Sequence, residues 1–191
     1  MHKMKIYVIL FIFMALVQLY VPAKMIFDSE AVLSTGKEFK FKTAPIDPED
    51  PFRGKYITLS YEDNFIQVQN DKDWIRNELV YISLLTDRNG YAKIQSVSKT
   101  KPKENPDFVK AKVSHVDINN NNKLIVDYPY DRFYMEESKA PIAEEVYLES
   151  LRDSTQVAYA LVHIKDGEAV IKDVMINGRS IREAVQNRNR K

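Results

Sequence analysis

Residues Ile6 to Ala23 form an apolar run interrupted only by Gln18, with His2, Lys3 and Lys5 before it and Lys24, Asp28 and Glu30 after it. As a helix at 1.5 Å per residue the run extends about 27 Å, just enough for the hydrocarbon layer of a bilayer. Tyr7 and Tyr20 then fall near the two interfaces. Two readings stand for such a leader, a retained signal anchor and a cleaved signal peptide. The cleaved reading asks for an unusually long apolar region and for cleavage at Val21-Pro22-Ala23, where proline spoils the small-x-small pattern. The expectation is therefore an anchor over residues 1–23 that meets lipid through residues 6–23, a connector over 24–36, and one domain over 37–191. Positive charge before the span and no excess after it places the N-terminus in the cytoplasm and the domain outside.

The connector carries Ile26, Ala31, Val32 and Leu33 with Gly36 close behind, so it reads as a continuation of the helix that stops at the glycine. What remains is long enough for one core and too short for two enzyme-sized domains. The 28 basic and 27 acidic residues nearly cancel, so no global field points to nucleic acid. The chain has no cysteine, which excludes disulfide scaffolds, thiol catalysis and cysteine metal sites. Eleven tyrosines against five glycines favour β structure with few flexible linkers.

Alternation carries most of the domain. Lys37 to Thr43 puts Phe39 and Phe41 on one face and lysines on the other. Asn89-Gly90 separates two apolar runs, Leu79 to Thr86 and Tyr91 to Lys99, which predicts a hairpin. Phe108 to Ile118 and Lys123 to Met135 predict a second around Asn119 to Asn122, whose asparagines tolerate left-handed backbone. Gln156 to Ile164 and Glu168 to Ile176 predict a third around Lys165-Asp166-Gly167, before a basic tail from Arg179. Asp71 to Glu78 reads either as one helical turn, with Trp74 and Ile75 inward, or as a loop. Pro141 to Leu151 predicts an amphipathic helix, with Ile142, Ala143, Val146 and Tyr147 on one face and Glu144, Glu145 and Glu149 on the other. The fold expected is mainly β, an antiparallel sandwich or open barrel with one amphipathic helix, preceded by the transmembrane helix.

The stretch PIDPEDPFRGKYITLSY, Pro45 to Tyr61, turns from a proline-restricted approach into a strand. Ile57, Leu59 and Tyr61 share one face of that strand and Tyr56, Thr58 and Ser60 the other, with a break near Glu62 to Asn64. Arg53, beside Asp47, Glu49 and Asp50, suits a local ion pair that fixes the turn, and Gly54 suits a special backbone conformation. This stretch, with VQLYVP at the end of the span, LSTG, RFYMEE and KDGEAVIKDVMINGRS in that order, resembles the GDYXXLXY family of bacterial membrane-anchored proteins over nearly the whole chain. Gly54, Tyr56, Leu59 and Tyr61 take the named motif positions, and Asp47, Pro48 and Arg53 fit its approach. Lys55 replaces the motif's aspartate, so no role of that carboxylate is essential in this chain. The resemblance implies location and company: a bacterial cytoplasmic membrane, and association with a polytopic membrane protein. It implies no reaction.

The residues themselves supply no compact catalytic constellation. His115 and Asp117 lie on one side of a strand, but no third ligand at a recognisable spacing accompanies them or His163, and a half-buried histidine with an ordinary hydrogen bond is the plainer reading. An RGxY turn is loosely similar to that of membrane-anchored serine–lysine signal peptidases, yet Lys55 and Ser60, five apart on a strand, would lie on opposite faces roughly 16 Å apart. The acidic clusters at Asp47, Glu49 and Asp50 and around the helix lack calcium-loop spacing and read as solvated faces. No catalytic residue, metal or cofactor is assigned. The expected function is an outward-facing interaction domain, with an envelope hydrolase or a carrier of a small apolar ligand as alternatives.

Overall fold

The computed structural model describes residues 2–45, 56–103 and 105–188. The first helix, α1, runs unbroken from His2 to Thr35, so the connector is helical and continuous with the apolar run. Pro22 lies inside it, where the missing donor falls within a segment apolar on every side. Among the described residues, Lys5–Thr35 is the one segment long and apolar enough to cross a membrane. From Lys5 to Ala31 its side chains are exposed or half-exposed, and Lys24 pairs with Asp28 one turn on. Only at Val32, 6 % exposed, does the helix become buried, against the sheet described next.

One residue separates helix from strand. Gly36 donates its N–H to the Val32 carbonyl at 2.8 Å, and the chain enters β1, Lys37–Ala44. A Cβ on Gly36 would stand 2.4 Å from the Val32 oxygen and 3.1 Å from the Ile164 oxygen, so close backbone approach requires glycine here. The remaining strands are β2 (Tyr56–Thr58), β3 (Ser60–Tyr61), β4 (Phe65–Gln67), β5 (Leu79–Thr86), β6 (Ala92–Ser98), β7 (Phe108–Asp117), β8 (Lys123–Asp127), β9 (Arg132–Tyr134), β10 (Ala158–Lys165), β11 (Glu168–Ile176) and β12 (Arg179–Ser180). They form one sheet in the order β12-β11-β10-β1-β3, a second in the order β4-β8-β7-β5-β6, and a separate ribbon β2-β9. All their pairings are antiparallel.

The two five-stranded sheets bridge one another at Lys40 with Tyr91 and at Val109 with Gly167, giving a nearly closed, barrel-like wall. Register shifts at Ser83/Leu84, Val113/His115 and Leu161/Val162 supply the bends that such closure needs. The alternating residues Phe39 and Phe41, Val80, Ile82 and Leu84, and Val109, Ala111 and Val113 all point inward and are buried. The three hairpins form as their turn residues predict, with Asn121, Asn122, Asp166 and Gly167 at positive φ.

Helix α2, Ala140–Arg152, buries Ala143 and Tyr147 in the core, as its apolar face predicts. The basic tail is not a tail. Residues Ile181–Arg188 form α3, whose Ile181 and Val185 are buried one turn apart, while Arg188 grips Glu149 at 2.9 and 3.0 Å and Glu145 at 3.3 Å. The acidic face of α2 is thus partly covered by a cation from α3. Asp71–Asp73 is a single 3₁₀ turn; Trp74 behind it is half-buried and Ile75 faces solvent rather than the core.

Gly167 offers a local test of the bridge between sheets. Its φ is +86°, and a Cβ would meet the Phe108 ring at 2.6 Å. Its carbonyl accepts from the Lys110 N–H at 2.9 Å. Gly167→Ala is expected to lower stability by about 1–3 kcal/mol, the range for strain at a special backbone site, measured by thermal denaturation of the detergent-solubilised chain.

Candidate interaction site

The motif strand is broken in two. Ile57 of β2 pairs with Phe133 of β9, whereas Tyr61 of β3 pairs with Thr43 of β1, and Leu59 lies at the change of partner. The Leu59 N–H is still satisfied, by the Asp131 carbonyl at 2.8 Å. The predicted strand Lys123 to Met135 breaks correspondingly into β8 and β9 at Tyr128-Pro129-Tyr130-Asp131, where Pro129 lacks a ladder donor. The face assignment survives the break: Ile57, Leu59 and Tyr61 are buried, and Tyr56, Thr58 and Ser60 are half-buried.

The inner residues build a tyrosine-rich core. Tyr61, 4 % exposed, lies edge-on to Phe41 with ring centroids 5.6 Å apart and packs on Tyr130 at 5.4 Å. Its hydroxyl donates to the Tyr130 carbonyl at 2.6 Å, tying β3 to the segment between β8 and β9. Tyr128, stacked on Tyr130 at 5.1 Å, donates to the Asp63 carbonyl at 3.0 Å. Thr43, the register partner of Tyr61, donates to the Ala158 carbonyl at 3.0 Å. Burial pushes the hydroxyls of Tyr61, Tyr128 and Tyr130 well up, and that of Tyr147 up to about 12. These phenols stay protonated at physiological pH: the hydroxyls of Tyr61 and Tyr128 donate hydrogen bonds, whereas those of Tyr130 and Tyr147 are buried with no partner among the described residues.

Tyr56 faces the other way. Its ring lies 5.4 Å from that of Tyr134, its register partner across the ribbon, and the Arg132 guanidinium sits 5.1 Å above it. Tyr134 is 63 % exposed. Beside this aromatic pair opens a cleft of about 420 Å³ lined by Tyr134, Met135, Glu136, Lys139, Arg182 and Gln186. A second cleft, about 320 Å³, runs under β3 and presents Ser60, Asn64, Asp127 and Asp131. Both belong to the same region as the motif, which lies at the Ala44 end of β1, while α1 leaves from its Lys37 end. Seven strand steps at roughly 3.3 Å separate the two ends by about 23 Å.

Asp47, Pro48, Arg53 and Gly54, with Lys55, fall outside the described residues. Of the motif positions, Tyr56, Leu59 and Tyr61 are therefore placed, and they divide between the half-buried face of the ribbon and the core. The sequence reading missed Arg132 and Tyr134; pairing the RFYMEE segment with the motif strand would have placed them beside Tyr56. His115 is exposed, not half-buried, and its neighbour Asp117 is occupied in accepting from the Asn119 N–H at 3.2 Å. It sits on the second sheet and His163 on the first. Among the described residues no group of three or more His, Cys, Asp or Glu is placed to hold a metal.

A family model described as GDYXXLXY protein matches residues 18–174, from within α1 to within β11. The chain belongs to the GDYXXLXY family. Comparison with curated proteins and with solved structures gave no match. The family's name lists a glycine, an aspartate, two tyrosines and a leucine. In this member the leucine and second tyrosine are core residues, the first tyrosine is on the surface ribbon, and the aspartate position is Lys55.

Proposed function

We propose that this GDYXXLXY protein is a single-pass, membrane-anchored interaction domain of a bacterial cytoplasmic membrane, with its N-terminus inside, its β domain outside and a polytopic membrane protein as partner. The observation that carries the anchor is α1, apolar on every side, exposed or half-exposed from Lys5 to Ala31, and joined to β1 through Gly36 alone. A helix apolar all round that no protein surface covers is matched to lipid. Lys3 and Lys5 precede the span, which supports the inward N-terminus.

The Tyr56–Arg132–Tyr134 ribbon is the contact surface of this reading. Tyrosine and arginine dominate binding hot spots, because they bring large rigid area and planar donors at low entropic cost. The ribbon stands at the far end of β1 from the anchor, so the partner meets it above the bilayer surface. The carrier alternative loses ground to the packing, since Phe41, Tyr61, Tyr128, Tyr130 and Tyr147 fill the interior.

Three measurements test this reading. Alkaline extraction should leave the chain in the membrane, and protease added from the outer side alone should digest the domain. Purification from detergent-solubilised membranes should recover one polytopic protein in fixed ratio. A soluble chain beginning near Lys24 would overturn the anchor, and absence of any co-purifying membrane protein would overturn the partner.

A further inference from the structure

Gln18 is the polar interruption of the apolar run in α1. At 1.5 Å per residue it lies about 18 Å beyond Ile6 and about 8 Å short of Ala23, so hydrocarbon surrounds it. Its side chain is exposed and makes no hydrogen bond among the described residues. Helical side chains lean toward the helix N-terminus, so the amide points away from the nearer membrane surface rather than out to water. Four residues on, Pro22 lacks the N–H that would bond the Gln18 carbonyl, and its ring crowds that oxygen. Side chain and backbone are thus left open at the same residue, where no water can bond either.

The two openings share a face. At 3.6 residues per turn, Phe11, Met14, Pro22 and Met25 fall within about 40° of Gln18, and so does Val32 above them. Phe11, Met14 and Met25 are exposed. Val32 is the residue at which the β domain first buries the helix, against β10 and β11. The domain therefore overhangs the side of α1 on which Gln18 lies. Two copies facing one another through Gln18 would bring two domains into one space above the pair, so a second copy does not fit this face. A helix of another membrane protein, ending beneath the overhang, does.

We propose that the Gln18 face of α1 docks on a transmembrane helix of the polytopic partner, and that this helix presents a hydrogen-bond donor at the depth of Gln18. The Gln18 side-chain amide both donates and accepts, whereas its backbone carbonyl only accepts, so the matching group is a hydroxyl, amide or imidazole that donates. Between apolar helices in lipid there is no hydrophobic drive, and association runs on such bonds and on close packing. Phe11, Met14 and Met25 supply the packing, and flexible methionine conforms to a surface of different sequence. This rests on reading α1 as the anchor and a polytopic protein as the partner, and it adds that the partner is held within the bilayer as well as above it.

The experiment places a photoreactive residue at single positions of the full chain in its native membranes. Phe11, Met14 and Met25 sample the Gln18 face, Leu16 and Tyr20 the opposite face, and Tyr134 the ribbon. Adducts are sized and their crosslinked peptides sequenced. One adduct mass is expected from both the Gln18 face and Tyr134, with background yield from Leu16 and Tyr20. The peptide reached from Met14 should lie in a membrane span that carries a donor side chain. Gln18→Leu suits lipid better than glutamine, so it should keep the chain in the membrane after alkaline extraction, yet lower the Met14 adduct by about threefold or more. Equal yield around the helix, an adduct of two copies of this chain, or a Met14 adduct unchanged by Gln18→Leu overturns the docking face. An adduct from Tyr134 with none from the Gln18 face overturns this inference alone, whereas no adduct from any position overturns the partner reading with it.

Discussion

Tyr61→Ala is expected to lower the stability of the domain by about 3–5 kcal/mol, the cost typical of deleting a fully packed aromatic ring. The substitution empties a position enclosed by Phe41, Tyr128 and Tyr130, and it orphans the Tyr130 carbonyl that the hydroxyl satisfies. Tyr61→Phe separates the two contributions. It keeps the ring and removes only the donor, so it should cost about 1–3 kcal/mol, the penalty for a buried acceptor left unpaired. Chemical denaturation of the detergent-solubilised chain checks both. If Tyr61→Ala were to fold as stably as the wild type, β3 would not be a fixed part of the core.

Gly36→Val is expected to have the next largest effect, about 3 kcal/mol from overpacking. Two backbone oxygens stand where the new side chain must go, that of Val32 at 2.4 Å and that of Ile164 at 3.1 Å. Neither is the end of a flexible side chain. Relief requires either opening the last turn of α1 or displacing β1 from β10, the central strand of the sheet. Limited proteolysis should show new cleavage between residues 32 and 40, and the melting temperature should fall. Unchanged cleavage and melting would mean that helix and strand are joined more loosely than their contacts show.

Much of the wall was legible because strand periodicity is local. Phe39 and Phe41 against their lysines, and Asn-Gly and Asp-Gly turns between apolar runs, need no knowledge of the rest of the chain. The break at Leu59 was not legible. It arises from a change of partner, from Phe133 to Thr43, and partners far apart in sequence leave no mark on the strand itself. Helix α3 was hidden by its charge, although Ser180-x-x-Glu183 is a capping pattern and the Ser180 hydroxyl accepts from the Arg182 N–H at 3.1 Å. Burial of His163 depends on α1 lying across the outer face of β10, a tertiary fact. At the candidate site, alternation separated Leu59 and Tyr61 from Tyr56. It could not say that Arg132 and Tyr134 would join Tyr56 on a ribbon.

The central claim is that the motif divides into an inner half that packs and an outer half that is displayed for a partner. Tyr56→Ala, measured for both stability and partner recovery from solubilised membranes, tests it most directly. The ring is half-buried on a surface ribbon, so stability should change by no more than about 1 kcal/mol. Recovery of the proposed polytopic partner should fall at least tenfold, as loss of a hot-spot residue worth about 1.4 kcal/mol or more requires. Full recovery of the partner by a stably folded Tyr56→Ala chain would contradict the account.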